Sequence, residues 1–132
     1  MWIATNNVYP HYGFVSYTDN GTFNLVPKHR FTYSLNGNIA TVRGVSKTCT
    51  SATFNTDKSI LLLSMNDGGT VDERMAIGRL YGCKMYQDGM LVRDFVPVLN
   101  GSAPGLYDTV TKTFYANAGT GSFIAGHKPK PY

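Results

Sequence analysis

The sequence predicts an all-β, antiparallel fold, and two observations predict it. The first is composition: of 132 residues, 14 are glycine, nine tyrosine and seven phenylalanine, and Glu73 is the only glutamate. Solvent-facing helices draw on Glu, Lys and Ala, whereas aromatic and β-branched residues suit strands. The second is punctuation. Turn-forming clusters recur at Asp19-Asn20-Gly21, Asn36-Gly37, Asn66-Asp67-Gly68-Gly69, Asp88-Gly89, Asn100-Gly101 and Asn117-Ala118-Gly119, with strand-like runs between them. That spacing is expected of a β-sandwich or barrel.

The elements follow in chain order. Asn and Gly both tolerate positive φ, so Asn36-Gly37 reads as a two-residue hairpin turn with Leu35 opposite Asn38 and Phe31 opposite Val42. Alternation then puts Phe31, Tyr33, Leu35, Ala40 and Val42 on one face, and Arg30, Thr32, Ser34, Thr41 and Arg43 on the solvated other. In that register Arg30 faces Arg43, which is destabilising unless an anion lies between them. A slip of one residue pair makes the contact diagonal and leaves both on one face. The apolar run Ser59–Met65 does not alternate, as in a strand covered on both sides or a short buried segment. Val71–Ile77 is the one stretch read as a helical turn.

A second hairpin centres on Asp88-Gly89, pairing Tyr86 with Leu91, Met85 with Val92 and Lys84 with Arg93. Two cations again oppose, and Cys83 falls opposite Asp94, so a bulge or a partly solvated surface is expected there. Residues 1–126 read as one domain by length. The alternating prolines of His127-Lys128-Pro129-Lys130-Pro131-Tyr132 form an extended basic tail.

Several classes are excluded by the same inspection. The longest aliphatic run, Ile60–Leu63, is far short of the roughly 20 residues of a membrane span, so no membrane partner is expected. The first residues, Met1-Trp2-Ile3-Ala4-Thr5-Asn6-Asn7, have neither the basic nor the apolar region of a secretory signal. Cys49 and Cys83 are too few for a disulfide framework and read as buried free thiols.

Net charge is +4, and its distribution is uneven. Between Asp19 and Asp57 there is no acid, while Lys28, Arg30, Arg43 and Lys47 lie there with His29. These four cations are the candidate binding residues, forming an anion-binding strip for nucleic acid, an acidic protein patch or an acidic glycan. A solvated face of an ordinary basic domain is the plain alternative. Phe31 and Tyr33 point inward by alternation, so a base-stacking platform is not expected. Trp2, Tyr9, Tyr12 and Tyr17 are candidates for sugar stacking, with core burial as their default role.

The segment Gly78-Arg79-Leu80-Tyr81-Gly82-Cys83-Lys84-Met85-Tyr86-Gln87-Asp88-Gly89-Met90-Leu91-Val92-Arg93-Asp94-Phe95-Val96-Pro97 resembles the closing part of concanavalin A-like (laminin-G-like) sandwich modules. So do Gly105-Leu106-Tyr107-Asp108 and Thr113-Phe114-Tyr115-Ala116-Asn117-Ala118-Gly119-Thr120-Gly121-Ser122-Phe123, the likeness covering about residues 54–126. Modules with these signatures are typical of phage and prophage surface or tail proteins. The resemblance implies an N-terminally shortened jelly-roll β-sandwich. Nothing here corresponds to the modules' opening strand, and Val98 replaces a common cysteine. An uncovered edge invites pairing with another chain, so a homo-oligomer or an obligate partner is expected, unless Val8–Tyr17 fills the gap.

Glycoside hydrolysis, an activity carried by such sandwiches, needs two carboxylates about 5 Å apart when retaining, or about 6.5–9.5 Å when inverting. Asp72 and Glu73 are adjacent and point to opposite faces of a strand. Asp94 and Asp108 could converge, but the Tyr-Asp-Thr context of Asp108 reads as a turn cap. His11, His29 and His127 make no metal spacing with the cysteines, and Asn66-Asp67-Gly68-Gly69 lacks the further acids that Ca²⁺ prefers. No serine elbow or phosphate loop occurs. No enzyme activity, cofactor or metal is therefore expected.

Two functions fit. One is a non-catalytic phage-derived binding module on the virion, contacting host glycans or other virion proteins. The other is a phage-encoded inhibitor acting in the host cytoplasm on a defence nuclease, such as a CRISPR effector. A fragment of a longer surface protein is a third reading.

Overall fold

A computed structural model describes residues 2–4, 7–9, 23–26, 28–49, 62, 65–67, 70–72, 78–118 and 121–126. Among them every element is a β-strand and every pairing is antiparallel, the all-β class predicted for a β-sandwich. The chain divides into two compact units, Met1–Gly78 and Arg79–Tyr132.

In the first unit, β1 (Trp2–Ala4), β2 (Asn7–Tyr9) and β3 (Phe23–Asn24) form one sheet. Trp2 and Tyr9 are thus paired strand residues rather than loop aromatics, whereas Tyr12 and Tyr17 lie outside the described residues. A second sheet orders β4 (Tyr33–Asn36), β5 (Ile39–Val42) and β6 (Val45–Thr48). Phe23, Ala40, Val42 and Cys49 form the buried core, with Leu25, Phe31 and Tyr33 packed against it. Cys49 and Cys83 are both free thiols. Burial raises the Cys49 thiol, and burial with the neighbouring Cys49 pushes the Tyr33 hydroxyl up to about 12. Both stay neutral at physiological pH, as core groups do.

The β4–β5 hairpin slips from the register expected of it. Asn36 pairs with Ile39 and Tyr33 with Val42, so the central residues are Gly37-Asn38 instead of Asn36-Gly37. Gly37 alone of the two has positive φ, at 53°, which is the type II′ pattern with glycine first. Asn38 then closes onto the end of β6: its Nδ2 donates to the Cys49 carbonyl at 2.9 Å, and the Cys49 N–H donates to the Asn38 carbonyl at 2.7 Å. The slip equals one full pleat, so Phe31, Tyr33, Ala40 and Val42 still face the core, although Leu35 remains 40% exposed.

Arg43 is not a strand residue facing Arg30. It opens the β5–β6 turn with Gly44, both at positive φ (52° and 80°), the type I′ pattern. Its N–H bonds the Thr32 carbonyl at 3.3 Å, so Thr32 stands opposite it and Arg30 lies on the diagonal. β7 (Met65–Asp67) and β8 (Thr70–Asp72) pair as a hairpin, so Val71 and Asp72 are strand residues, not part of a helical turn. Residues 73–77, most of the apolar run 59–65 and the tail 127–132 lie outside the described residues.

The second unit is one sheet, ordered β12-β11-β10-β9. β9 (Cys83–Gln87) and the long β10 (Met90–Asn100) turn at Asp88-Gly89, again with both φ positive (52° and 77°). Tyr86 opposes Leu91, but a bulge between Leu91 and Arg93 shifts the rest. Met85 therefore faces Arg93 rather than Val92, Lys84 faces Asp94 rather than Arg93, and Cys83 faces Phe95 rather than Asp94. One extra residue converts a cation pair into an ion pair, Lys84 Nζ to Asp94 Oδ2 at 3.5 Å.

β11 (Ala103–Asp108) pairs with β10 from Asn100–Ala103 to Phe95–Asp108, and β12 (Thr113–Tyr115) adds three residues beside it. Thr109 N–H donates to the Asp94 carbonyl at 2.9 Å, which fixes the ladder's parity. Residues 94, 96, 98 and 100 bond towards β11, and 95, 97 and 99 point the other way. Pro97 thus aims its missing N–H at a stretch where β9 has already ended. Pro104 does the same beyond the end of β12, so neither proline breaks a ladder bond. Phe95 and Tyr115 share one face, their rings edge-on at 5.6 Å.

Candidate functional site

The four predicted binding residues all lie in the first unit. Lys28 is exposed at positive φ (64°) in the turn that the Val26–His29 hydrogen bond closes. Arg30 and Arg43 are exposed and, with Phe31 and Thr32, line one surface hollow of about 400 Å³. Lys47 is half-buried on β6 and lines a second hollow of about 410 Å³ with Phe23, Asn24, Val42, Arg43 and Val45. Arg43 lines both, so the type I′ turn places one arginine between two concave patches. Lys28 is not among the described residues lining either.

The hairpin geometry explains the clustering. The one-pleat slip moves Arg43 off direct opposition to Arg30 and puts it in the β5–β6 turn. Arg30, in the segment leading into β4, and Arg43, in the β5–β6 turn, then line one hollow without facing each other across a ladder pair. Lys47 places its ammonium 5.2 Å from the centroid of the buried Phe23 ring, a cation–π contact worth about 0.5–2 kcal/mol. The ammonium is thereby oriented while part of it remains accessible. With Phe23 buried and capped, the aromatic ring supports the cation and offers no open face for stacking a base or a sugar.

The local backbone bears a cost here. Arg43 occupies a left-handed conformation that costs a residue with a Cβ about 1–2 kcal/mol and that Asn accepts better. Arg43→Asn is therefore expected to raise the melting temperature by a few degrees while weakening anion binding, read by thermal melts and titration on one preparation. A fall in melting temperature would show that the Arg43 side chain itself holds the turn.

Asp94 and Asp108 in the second unit do come together, but not as a catalytic pair. Asp108 is completely buried, and its Oδ1 accepts the N–H groups of Asp94 (2.9 Å) and Val110 (3.1 Å). Its Oδ2 accepts the Thr111 hydroxyl at 2.7 Å and lies 3.5 Å from Arg93 Nε. Burial alone would push this carboxyl up. The donors from Asp94, Thr111 and Val110, with the Arg93 charge beside them, outweigh it and hold the group below the usual carboxylate range. It is the turn cap that its sequence context predicts. Asp94 and Phe95 are adjacent on β10 and Phe95 opposes Asp108, so the two carboxylates stand on opposite faces of the sheet and do not flank a common bond.

Among the described residues, no cluster of three or more His, Cys, Asp or Glu could hold a metal ion, and His29 is exposed. No helix among them is long and apolar enough to cross a membrane. Sequence reasoning missed Phe23 beneath Lys47, because 24 residues separate them and no periodicity links them. It also missed Arg43-Gly44 as a turn, although a glycine after a β-branched run was a usable signal. Comparison with protein-family models, with curated proteins and with solved structures gave no match to this chain.

Proposed function

We propose that this protein is a non-catalytic, phage-derived binding module, a virion or tail surface component, and that it takes acidic host glycans on the face formed by Arg30, Arg43 and Lys47. The observation that carries the reading is the pair of adjoining hollows sharing Arg43, each with a second cation at its wall. Such an arrangement suits a ligand bearing two or more separated anionic groups, with one group in each hollow. The Phe23 ring is already capped, which favours charge recognition over aromatic stacking as the mode of binding. The phage and surface assignment, and the jelly-roll arrangement that would present this face, are supported by the resemblance of residues 78–97 and 105–123 to concanavalin A-like modules.

Binding by exposed cations weakens as salt screens it. The wild-type protein is expected to bind uronate- or sulfate-bearing oligosaccharides, to ignore neutral ones, and to lose affinity as ionic strength rises. Arg30→Glu combined with Arg43→Glu is expected to lower affinity by about tenfold or more and to flatten the salt dependence. Calorimetric titration, with folding checked by thermal melts, makes the measurement. Unchanged affinity in the double variant, or equal binding of neutral sugars, would sink the proposal.

A further inference from the structure

The four-stranded sheet of the second unit treats its open edges unequally. β12 presents only three residues. The part of β10 that outruns β9 carries Pro97 on its open side, and the part of β11 that outruns β12 carries Pro104. Each of these devices discourages strand addition. β9 has none of them. It is five residues long, contains no proline, and among the described residues no strand pairs with its outer side. Its one charge, Lys84, is partnered across the ladder by Asp94 at 3.5 Å, so the usual lysine guard is neutralised. The neighbouring Tyr86 is 62% exposed.

Ladder parity fixes what that edge offers. Gln87 pairs with Met90 across the two-residue turn, so residues 83, 85 and 87 bond inward to β10. Lys84 and Tyr86 therefore direct their N–H and C=O groups outward. Two copies of such an edge are self-complementary in one arrangement. With a two-fold axis at Met85, Lys84 of each copy opposes Tyr86 of the other and both are hydrogen-bonded pairs, giving four backbone bonds. An axis at Lys84 would set two lysines face to face. An axis at Tyr86 would carry the pairing into the Asp88 turn.

We propose that β9 is the edge through which two copies of this chain associate, antiparallel about a two-fold axis at Met85. The interface is isologous, as closed dimers require, and places the two Met85 residues in a non-hydrogen-bonded pair. It involves the second unit alone and is independent of the cationic face.

The pairing is tested by mass in solution and by cross-linking. The full chain is expected to measure as a dimer by light scattering after size exclusion. Tyr86→Pro removes only an outward N–H and is expected to give a folded monomer, with thermal melts verifying the fold. Cα atoms in a non-hydrogen-bonded pair are about 4.5 Å apart, within the range a disulfide spans. In a Cys83→Ala background, Met85→Cys is therefore expected to form a disulfide-linked dimer on mild oxidation, and Gln87→Cys is not. A wild-type monomer, a dimer that survives Tyr86→Pro, or a Met85→Cys chain that stays unlinked would each overturn the proposal.

Discussion

Asp108→Ala is expected to lower the melting temperature by on the order of 10 °C, because it leaves the N–H groups of Asp94 and Val110, both bonded to this fully buried carboxylate, without their acceptor. The Thr111 hydroxyl and the Arg93 guanidinium lose the same carboxylate. Asp108→Asn keeps one acceptor oxygen but sets an amide where Oδ2 meets Arg93, so it is expected to fall between wild type and alanine. Acid separates the charge from the geometry. The folded carboxyl titrates below its unfolded counterpart, which takes up its proton near pH 3.9. The stability it contributes is therefore complete above that pH and is lost as pH falls through the lower, folded value. Denaturant melts of wild type and Asp108→Asn between neutral pH and pH 3 are expected to converge as acid is added. Parallel curves would show that the charge contributes nothing and that hydrogen-bond geometry is the whole effect.

Gly105→Ala is expected to be nearly as damaging, for a steric reason. A Cβ at this buried position would meet the Tyr115 carbonyl oxygen at 2.6 Å and the Phe114 ring at 2.5 Å. Phe114 can turn aside, but Tyr115 is backbone within β12 and pairs with Leu106. Overpacking of this kind costs about 1–3 kcal/mol, and here it would also strip a short edge strand from the sheet. Adding Phe114→Leu is expected to recover part of the loss and no more, since the carbonyl contact persists. Amide exchange at Thr113–Tyr115 reports the strand directly, and full rescue by Phe114→Leu would assign the whole cost to the ring.

These two positions also mark how far the sequence could be read. The capping role of Asp108 was legible because Tyr-Asp-Thr is a local turn signal and the cap bonds residues within three positions as well as the neighbouring strand. The need for glycine at 105 was not, since it comes from a ring and a carbonyl on the next strand. The faces of the first hairpin were legible even though its turn was not. A slip of one pleat preserves parity, while the choice between Asn36-Gly37 and Gly37-Asn38 depends on whether glycine enters the turn first or second. The same choice is made at Asn100, where Gly101 (φ 62°) is again the first central residue.

The conflict of Lys84 with Arg93 in a regular ladder was a legible warning, and the bulge resolves it by the smallest change available, one residue. For the candidate site, Arg30 and Arg43 were brought to one hollow, as an acid-free stretch of sequence suggested. The second hollow, with Lys47 over Phe23, depends on the packing of β3 near β6 and had no local signature.

Pro104 and the short β12 have a further consequence, for stoichiometry. A sheet that accepts a strand on both sides grows without limit into an open ribbon, the route by which β-proteins become fibres. Here the β12 side offers only a three-residue strand, with the Pro104 ring standing beyond it where a donor would otherwise be, and the β9 side is available once per molecule. Association by strand addition therefore saturates at the first encounter. Replacing Pro104 with a residue that carries an N–H would extend the β12 side of β11 by one donor and lift part of that ceiling, at no cost to any bond the molecule now makes.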